Sequence, residues 1–460
     1  MMFDIASSSS WLRLNPAVSA TTPSHASALR RLSSSSCKPT NIVSCCSSTP
    51  TYSSSSPSPS AHSYSRRWFN PLRRRPFDEA SPEILRHWIN ADFHPLASQE
   101  KFTVVSYNIL GDKNAWKHKD MYPNVPSQYM NWNHRKSNIC HELFGWNPDI
   151  ICLQEVDRYY DLLSVMENAG YVGSYKRRTG DYVDGCATFW KADKFQLIEE
   201  VNIEFKDFGL RDNVAQISVF EVAICMRKAK SRRLVVGNIH VLYNPSRGEV
   251  KLGQICLLLS RAQIISEKWG NVPVVLAGDF NSTPQSAIYQ FLSSSELNIK
   301  LYDPREISGQ RSCHPAQVFG LKNEMSNPFD VIDRFLQSCW RDEEVKVATG
   351  SYDCHFAVHP LKLYSSYASV KGSTKTRDLN GEPLATSYHS KFFGTVDYLW
   401  YSNDLVPTRV LDTLPVDSLR RTGGLPCKIL GSDHLALVSE FAFVQGTNEG
   451  ACEDENDALS

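Results

Sequence analysis

The chain has no net charge, because 49 Lys and Arg residues balance 49 Asp and Glu residues among its 460 residues. A chain this neutral cannot attract nucleic acid through its overall charge, so any basic surface must be local and its salt dependence moderate. No apolar run approaches the ~20 residues that span a bilayer. We therefore expect a soluble protein that does not cross a membrane.

The sequence also lacks the cysteine spacings of metal sites and any repeats. Its 13 cysteines include no C-x-x-C pair and no zinc-type spacing, and several stand in apolar runs: Cys140, Cys152, Cys225 and Cys256. This pattern indicates buried free thiols in a reducing compartment. No fixed-period repeat is visible, leucine-rich or otherwise.

The zero total hides an uneven distribution of charge and serine. Residues 1–77 contain nine Lys and Arg residues, one acid and several runs of serine. A segment rich in serine, with arginines and few acids, is typical of an organellar transit peptide. The alternative is a disordered tail without a targeting function. We predict a disordered leader that directs the protein to the chloroplast or mitochondrion, with cytoplasm and nucleus as the alternative.

Beyond the leader we predict a linker over 78–101, one α/β domain over 102–445 and an acidic disordered tail over 446–460. Periodicity predicts helices at 132–144, 157–169 and 248–269. It predicts strands at 102–107, 149–154, 186–191, 215–226, 234–240, 272–280, 396–402 and 435–444. The domain is too large for one simple sheet, so we expect two packed sheets. Residues 300–390 are rich in turn signals and predict long loops and short helices that form part of a wall of the site.

Short polar motifs stand at the ends of the apolar, strand-like runs. They place an amide, a carboxylate or an imidazole at Asn108, Glu155, Asp279, Asn281, Asp397, Asp433 and His434. Several strand ends that deliver these groups describe one oxygen-rich metal site with a histidine beside it. Such a site is suited to cleaving a phosphate ester.

Glu155 follows an apolar run and would be held rigidly where a strand emerges; the alternative is a solvated strand-end glutamate. Asp279 can accept a proton from an attacking water. Asn281 can donate to a phosphate oxygen without adding charge, and Asn108 has a similar neutral role close to a metal. The alternative for the motif Gly-Asp-Phe-Asn at 278–281 is an Asx turn after a strand.

His434 and Asp397 form a histidine–carboxylate pair that can hold a positive charge. A histidine that a carboxylate orients and keeps protonated can stabilise a developing phosphorane. Asp433 remains free for the metal. The alternative is that His434 is structural, as lone strand histidines usually are.

Together these motifs resemble the endonuclease/exonuclease/phosphatase superfamily over about residues 102–444. The resemblance implies a four-layered α/β sandwich, with two packed mixed sheets flanked by helices, and phosphoester cleavage that depends on Mg²⁺, with Mn²⁺ as the alternative. It also implies roles for single residues: Glu155 as principal metal ligand with Asn108 and Asp433 nearby, Asp279 as the residue that activates water, Asn281 and His434 as phosphate contacts, and Asp397 as the residue that orients His434.

Within that superfamily the chain resembles the plant-like carbon catabolite repressor-type deadenylases, to which nocturnin and the angel proteins are related. The markers are Ser-Tyr-Asn-Ile-Leu at 106–110, Asn-Ile-His-Val-Leu-Tyr-Asn-Pro at 238–245 and Asp-Tyr-Leu-Trp-Tyr-Ser at 397–402. The resemblance implies that His240 contacts phosphate and that Pro245 and Phe392 sandwich an adenine base of single-stranded RNA. The alternatives are a helix-entry proline and a core aromatic.

Two features differ from the large deadenylase of the mRNA-decay complex. That protein carries leucine-rich repeats ahead of its nuclease domain, whereas residues 1–100 here are free of repeats, which puts docking to the deadenylase scaffold in doubt. The run at 244–252 is closer to the angel branch, in which 2′,3′-cyclic phosphate hydrolysis is known.

We therefore expect a poly(A)-specific, Mg²⁺-dependent 3′→5′ exoribonuclease acting on adenosine-rich 3′ ends, by metal-assisted attack of water. The alternative is a phosphatase for cyclic-phosphate RNA ends or for a nucleotide. An inactive RNA-binding scaffold would require a broken motif, and all seven polar site residues are present.

Overall fold

The computed structural model describes residues 85–92, 100–223, 232–320 and 339–444. The predicted leader, the acidic tail and Cys225 lie outside these residues, so their properties stay predictions. Within the described part, Cys140, Cys152, Cys186 and Cys256 are buried free thiols. No helix of that part is long and apolar enough to cross a bilayer.

Strands and helices alternate along the described chain. The strands are β1 Trp88–Asn90, β2 Lys101–Asn108, β3 Ile150–Gln154, β4 Tyr171–Arg177, β5 Gly185–Lys191, β6 Phe195–Glu204, β7 Val214–Val222, β8 Arg233–His240, β9 Val274–Asp279, β10 Glu296–Asn298, β11 Phe356–Val358, β12 Leu363–Ser365, β13 Ser387–His389, β14 Phe392–Gly394, β15 Asp397–Ser402, β16 Leu405–Leu411 and β17 Leu437–Phe443. The helices are α1 Asp112–Lys117, α2 Ser127–Met130, α3 Trp132–Trp146, α4 Tyr159–Asn168, α5 Gly248–Lys268, α6 Ala287–Ser294, α7 Pro315–Val318, α8 Asp342–Thr349 and α9 Val416–Thr422. Short 3₁₀ helices cover Lys119–Met121, Phe205–Phe208, Ile299–Leu301 and Gln310–Ser312.

Two large mixed sheets organise the described residues. One has seven strands in the order β1-β16-β17-β2-β3-β5-β4, and the other has six in the order β12-β15-β9-β8-β7-β6. β2 pairs with β3 and β8 pairs with β9 in parallel, while the other ladders of these sheets are antiparallel. The carboxyl ends of each parallel pair therefore meet at one edge of their sheet.

The cores show how the layers stack. Val104 and Ile150 of the first sheet share a buried cluster with Val236, Ala277 and Leu399 of the second, so the sheets pack face to face. The outer face of the first sheet packs on α3 and α4, and that of the second packs on α5 and α6. This helix–sheet–sheet–helix order confirms the predicted four-layered sandwich.

Most predicted elements have a counterpart, with small shifts at their ends. The predicted helix at 248–269 is α5, which is buried along most of its length and packs against α8. The predicted linker contains β1, which pairs with β16. In their described part, residues 300–390 hold short helices as expected, together with the strands β11, β12 and β13, which the pattern did not predict. The pattern also missed β1, β4, β6, β10, β14 and β16.

Candidate active site

Strand ends bring the predicted polar residues together where the two sheets meet. Asn108 ends β2, Glu155 follows β3, His240 ends β8 and Asp279 ends β9. Asp397 begins β15 and lies opposite Asp279 in the antiparallel ladder. Ligands of α/β folds commonly bind outside the carboxyl ends of strands, and the same arrangement creates a site here.

Asn108 bridges two carboxylates. Its Nδ2 donates to Glu155 Oε1 at 3.2 Å and to Asp279 Oδ2 at 3.1 Å. Its Oδ1 accepts from the Leu110 backbone N–H at 3.0 Å, which fixes the orientation of the amide. The Asn108 Nδ2 atom thereby bonds two carboxylates that come from different sheets.

Glu155 leaves the strand in an unusual backbone conformation. Its φ of 57° lies in the left-handed region, which is uncommon for a residue other than glycine. Its Oε2 accepts from the Gly111 N–H at 3.1 Å and from Asn114 Nδ2 at 2.9 Å. Gly111 allows this close approach, because a Cβ there would lie 2.9 Å from the Glu155 carbonyl oxygen.

His434 and Asp397 form the predicted pair. His434 Nδ1 lies 2.8 Å from Asp397 Oδ2, which also accepts from Thr386 Oγ1 at 2.6 Å. Burial alone would lower the pKa of His434, but the carboxylates of Asp397, Asp433 and Asp279 outweigh burial and hold it well above 6.5. The imidazole is therefore an imidazolium with its Nε2 on the side of Asp279, 4.0 Å from Oδ2.

Asp279 lies between the two histidines. Its Oδ1 accepts from the Asn281 N–H at 2.9 Å, and its Oδ2 is 3.5 Å from His240 Nε2. Burial and the charge of Asp397 raise the pKa of Asp279 to about 7. Burial, with the charge of Arg178, lowers the pKa of His240 to about 4, so this imidazole is neutral.

Three further hydrogen bonds hold Asn281 in place. Its Nδ2 donates to the Val241 carbonyl at 3.0 Å, and its Oδ1 accepts from Gln310 Nε2 at 2.8 Å. Lys251, which is fully buried on α5, donates to the Asn281 carbonyl at 2.8 Å and also bonds Gln310 Oε1. Because the amide has two N–H groups and one is used, the second is available to a bound phosphate.

Asp433 is buried and bonded to an aromatic residue that the motifs did not indicate. The Tyr122 hydroxyl donates to Asp433 Oδ2 at 2.8 Å. Burial and the nearby charge of Asp433 raise the pKa of Tyr122 well above 10, so Tyr122 stays a donor. Ser432, the preceding residue, donates to the Asn108 carbonyl at 2.6 Å and links this loop to β2.

These side chains surround a cavity of about 310 Å³. Phe392 of β14 is buried and forms part of its wall. Pro245 does not line it in the described part of the chain, although its neighbours Tyr243 and Asn244 do. The structure thus brings Phe392 to the site and places Pro245 beside it.

The donor set fits a hard divalent cation. Three carboxylates line the cavity (Glu155, Asp279 and Asp433), and a fourth, that of Asp397, bonds His434 from outside the lining. Mg²⁺ prefers oxygen ligands, uses one or two carboxylates and keeps several waters. Glu155 suits this best, because it is half-buried and borders the open cavity.

A tighter acidic group lies beside it. Asp279, Asp397 and His434 are buried and place one possible ligand atom each within 4.8 Å of one another. The His434 Nδ1 and Asp397 Oδ2 atoms already bond each other, however, and Thr386 occupies the same oxygen. We therefore interpret Asp279, Asp397 and His434 as residues that bind and transfer protons, and Glu155 as the centre of the metal site.

Several cavity residues had no signal in the motifs. Asn114, Tyr122, Gln310 and His389 come from loops and short elements whose position depends on the fold. Arg178 also lines the cavity, and it lies 3.6 Å from Asp184 and 3.7 Å from the Tyr182 ring centroid. The basic run Lys-Arg-Arg at 176–178 could have indicated it.

The fold and site are those of a known class. A family model described as the Endonuclease/Exonuclease/phosphatase family matches residues 105–434, and the chain belongs to this family. The particular relatives include Carbon catabolite repressor protein 4 homolog 3 of Arabidopsis thaliana, which is 58% identical over 88% of this chain and 90% of its own length. Homolog 5 of the same plant is 48% identical over 81% of this chain and 84% of its own length.

A solved structure agrees with this assignment. The structure of ANGEL2, described as a 2′,3′-cyclic phosphatase, superposes with a TM-score of 0.62 at 29% identity. It covers 78% of this chain and 99% of that one. The resemblance inferred from the motifs is confirmed, and the protein is a hydrolase of this nuclease and phosphatase family.

Proposed function

We propose that the protein is a Mg²⁺-dependent 3′→5′ exoribonuclease that hydrolyses phosphodiester bonds at adenosine-rich RNA 3′ ends. One observation carries the proposal. Asn108 joins the carboxylates of Glu155 and Asp279 in the same cavity as an imidazolium held by Asp397. Oxygen ligands, a base and a fixed positive charge are what a phosphodiester hydrolase requires.

Asp279 accepts the proton of the attacking water. A general base works best when its pKa is near the operating pH, and the pKa of Asp279 is raised to about 7. The water oxygen forms a bond to phosphorus as the bond to the leaving ribose oxygen breaks, and that oxygen takes up a proton from solvent. The hydrogen bond from Asn108 holds the accepting carboxylate in place.

Positive and neutral donors then stabilise the charge that develops on the phosphate. His434 supplies a cation that does not need to be created during the reaction, because neighbouring carboxylates keep it protonated. Asn281 supplies an N–H that adds no charge. His240 is neutral and can also donate one hydrogen bond.

Glu155 would hold the Mg²⁺ ion, with Asn108 and Asp433 close by. The bound ion supplies Lewis-acid stabilisation of phosphoryl oxygens, worth several kcal/mol. In the described structure Asn108 turns its amide nitrogen, not its oxygen, towards the carboxylates. Asn108 therefore orients the carboxylates of Glu155 and Asp279 in this state.

The cavity supports attack at a chain end. Its volume of about 310 Å³ lies at the lower limit of small-ligand pockets, ~300 Å³, so it suits one nucleotide rather than a continuous strand. Phe392 offers an aromatic surface to the base, and the resemblance to deadenylases selects adenine. We therefore propose removal of nucleotides from the 3′ end.

Hydrolysis of RNA 2′,3′-cyclic phosphate ends is the second candidate. It is favoured by the match to the ANGEL2 structure, which contains adenosine-2′,3′-vanadate. The same water-activating carboxylate and imidazolium would serve to open a cyclic diester. The size of the cavity suits this substrate equally.

One experiment separates the two. RNAs labelled at the 5′ end are incubated with Mg²⁺; they end in A₈ or U₈ and carry either a 3′ hydroxyl or a 2′,3′-cyclic phosphate. A ladder that shortens by single nucleotides on the hydroxyl substrates supports the exoribonuclease. We expect the A₈ end to be consumed faster than the U₈ end. Opening of the cyclic end without any shortening supports the phosphatase, and no change of either RNA contradicts both.

A further inference from the structure

A second, smaller cavity borders the active-site cavity. It has a volume of about 170 Å³ and is lined by Ala115, Trp116, Lys119, Tyr122, Val125 and Met130, together with Ser127. Tyr122 lines both cavities and bonds Asp433, so it forms the wall between them. The smaller cavity is therefore adjacent to the site at which we place the RNA 3′ end.

Trp116 is the exposed aromatic of this cavity. Its side chain is 56% exposed, and the Lys119 ammonium lies 3.6 Å from the centroid of its ring. A single exposed apolar residue is ordinary on a protein surface. An exposed indole beside an apolar cavity and a lysine instead has the composition of a base-stacking platform, which combines an aromatic face with positive charge.

The charges around the cavity are also suited to RNA. Lys113, Lys117 and Lys119 are exposed, and none of them forms an ion pair with a carboxylate among the described residues. Asp120, the nearby exposed acid, is paired with Lys391. Lys117 lines the large cavity and Lys119 the small one, so uncompensated positive charge follows the path from one to the other.

We propose that the smaller cavity binds an upstream base of single-stranded RNA, stacked on Trp116, while Lys117 and Lys119 contact the backbone phosphates. The base replaces the ammonium on the indole face, which frees Lys119 for a phosphate. Because every base has a π-face, this subsite accepts any base. The inference rests on the proposed function, because it takes the large cavity as the position of the 3′ end.

Binding of RNA tests the subsite independently of cleavage. Fluorescent AMP, oligoadenylates of up to twelve nucleotides and a duplex of the dodecamer are titrated into the full chain carrying Asp279→Asn, in which the RNA stays intact, with and without Trp116→Ala. We expect Trp116→Ala to raise Kd about tenfold for the longer single-stranded RNAs and not for the mononucleotide. Tenfold corresponds to ~1.4 kcal/mol, within the 1–3 kcal/mol of base–aromatic stacking. Trp116→Phe should restore most of the affinity.

Tyr352→Ala is the matched control. Tyr352 is 49% exposed and has Lys346 at 4.6 Å from its ring centroid, but it lines neither cavity. This variant should bind all lengths normally. Equal loss of affinity for the mononucleotide and the dodecamer, no loss at any length, or equal affinity for single-stranded and duplex RNA would each overturn the inference. If RNA binds with the expected Trp116 dependence but the wild-type chain shortens no RNA, the subsite stands and the proposed exoribonuclease fails.

Discussion

Asp397 controls the charge of His434 through one hydrogen bond of 2.8 Å. Thr386 holds the same carboxylate oxygen, so its position does not depend on the imidazole. In a buried site, a carboxylate at this distance favours the charged form of a histidine and overcomes desolvation. The positive charge at the cavity wall is therefore set by a residue that does not line the cavity.

Asp397→Asn should lower the pKa of His434, because it removes the carboxylate that favours the imidazolium. The alkaline limb of the pH–kcat profile should then move to lower pH, and kcat at pH 8 should fall about 10²-fold, as for loss of one charge-stabilising donor. Asp149→Asn is the control, since Asp149 is a buried acid paired with Lys191 and Lys194 outside the cavity. An unchanged alkaline limb in Asp397→Asn would contradict the pairing.

The hairpin β13–β14 carries two phenylalanines to opposite sides. Phe392 lines the active-site cavity, whereas Phe393 packs in a core cluster with Tyr388, 5.2 Å between ring centroids. Neighbouring residues of a strand point to opposite faces. One element therefore contributes both to the wall of the site and to stability.

Phe392→Ala should weaken the preference for adenosine more than it weakens cleavage of a dinucleotide, because a base stack worth about 1–3 kcal/mol is lost. Phe393→Ala is the matched control and should lower Tm with the base preference intact, because a core phenylalanine truncated to alanine costs about 3–5 kcal/mol. The measurements are kcat/KM on A₈ and U₈ and thermal unfolding. Equal losses on both tails and the dinucleotide in Phe392→Ala would identify it as a core residue.

α5 and α8 approach each other closely at Gly253, where a Cβ would lie 2.3 Å from the Val347 carbonyl oxygen. Gly253→Ala should therefore destabilise the protein by about 1–3 kcal/mol, the usual effect of overpacking, and lower Tm in calorimetry. Gly145→Ala on α3 is the control, since nothing lies within 4 Å of its added Cβ and alanine is favoured in helices by about 0.5–1 kcal/mol. A Gly253→Ala variant as stable as wild type would show that the helices can separate without loss.

The sequence predicts elements best where burial is continuous. β3 and β9 are buried at every residue, and their apolar runs predict them together with the acids that follow. β6 was missed because it mixes Glu199, Glu200 and apolar residues around a bulge. β16 was missed because it contains Pro407 beside another bulge.

The same limit applies to the site. Strand-end motifs predict Asn108, Glu155 and Asp279, because each of them lies at the end of a strand that the pattern identifies. Tyr122 and Gln310 could not be predicted, since their contacts join residues 311 and 29 positions apart along the chain. Such contacts exist only after loops have packed, and no local pattern encodes them.

At the scale of the whole molecule, the targeting function of residues 1–77 stays a prediction. Their composition, with nine basic residues and one acid, cannot bury an apolar core. A fluorescent reporter fused to them should enter chloroplasts or mitochondria, and deletion of them should leave kcat unchanged in vitro. Diffuse cytosolic or nuclear fluorescence from both the fusion and the full-length protein would contradict the targeting prediction and favour a cytoplasmic role.

The dependence of turnover on Mg²⁺ in wild type and Glu155→Gln tests the central claim most directly. The substrate is RNA with an A₈ 3′ end, and Glu204→Gln, at the end of β6 and outside the cavity, is the control. We expect wild type and control to require Mg²⁺ and to stop with chelator. Glu155→Gln should keep its Tm but lose turnover by at least ~10³-fold, the equivalent of several kcal/mol of charge stabilisation by the metal. Near-normal turnover of Glu155→Gln at the same Mg²⁺ concentration would contradict the assignment of the metal site.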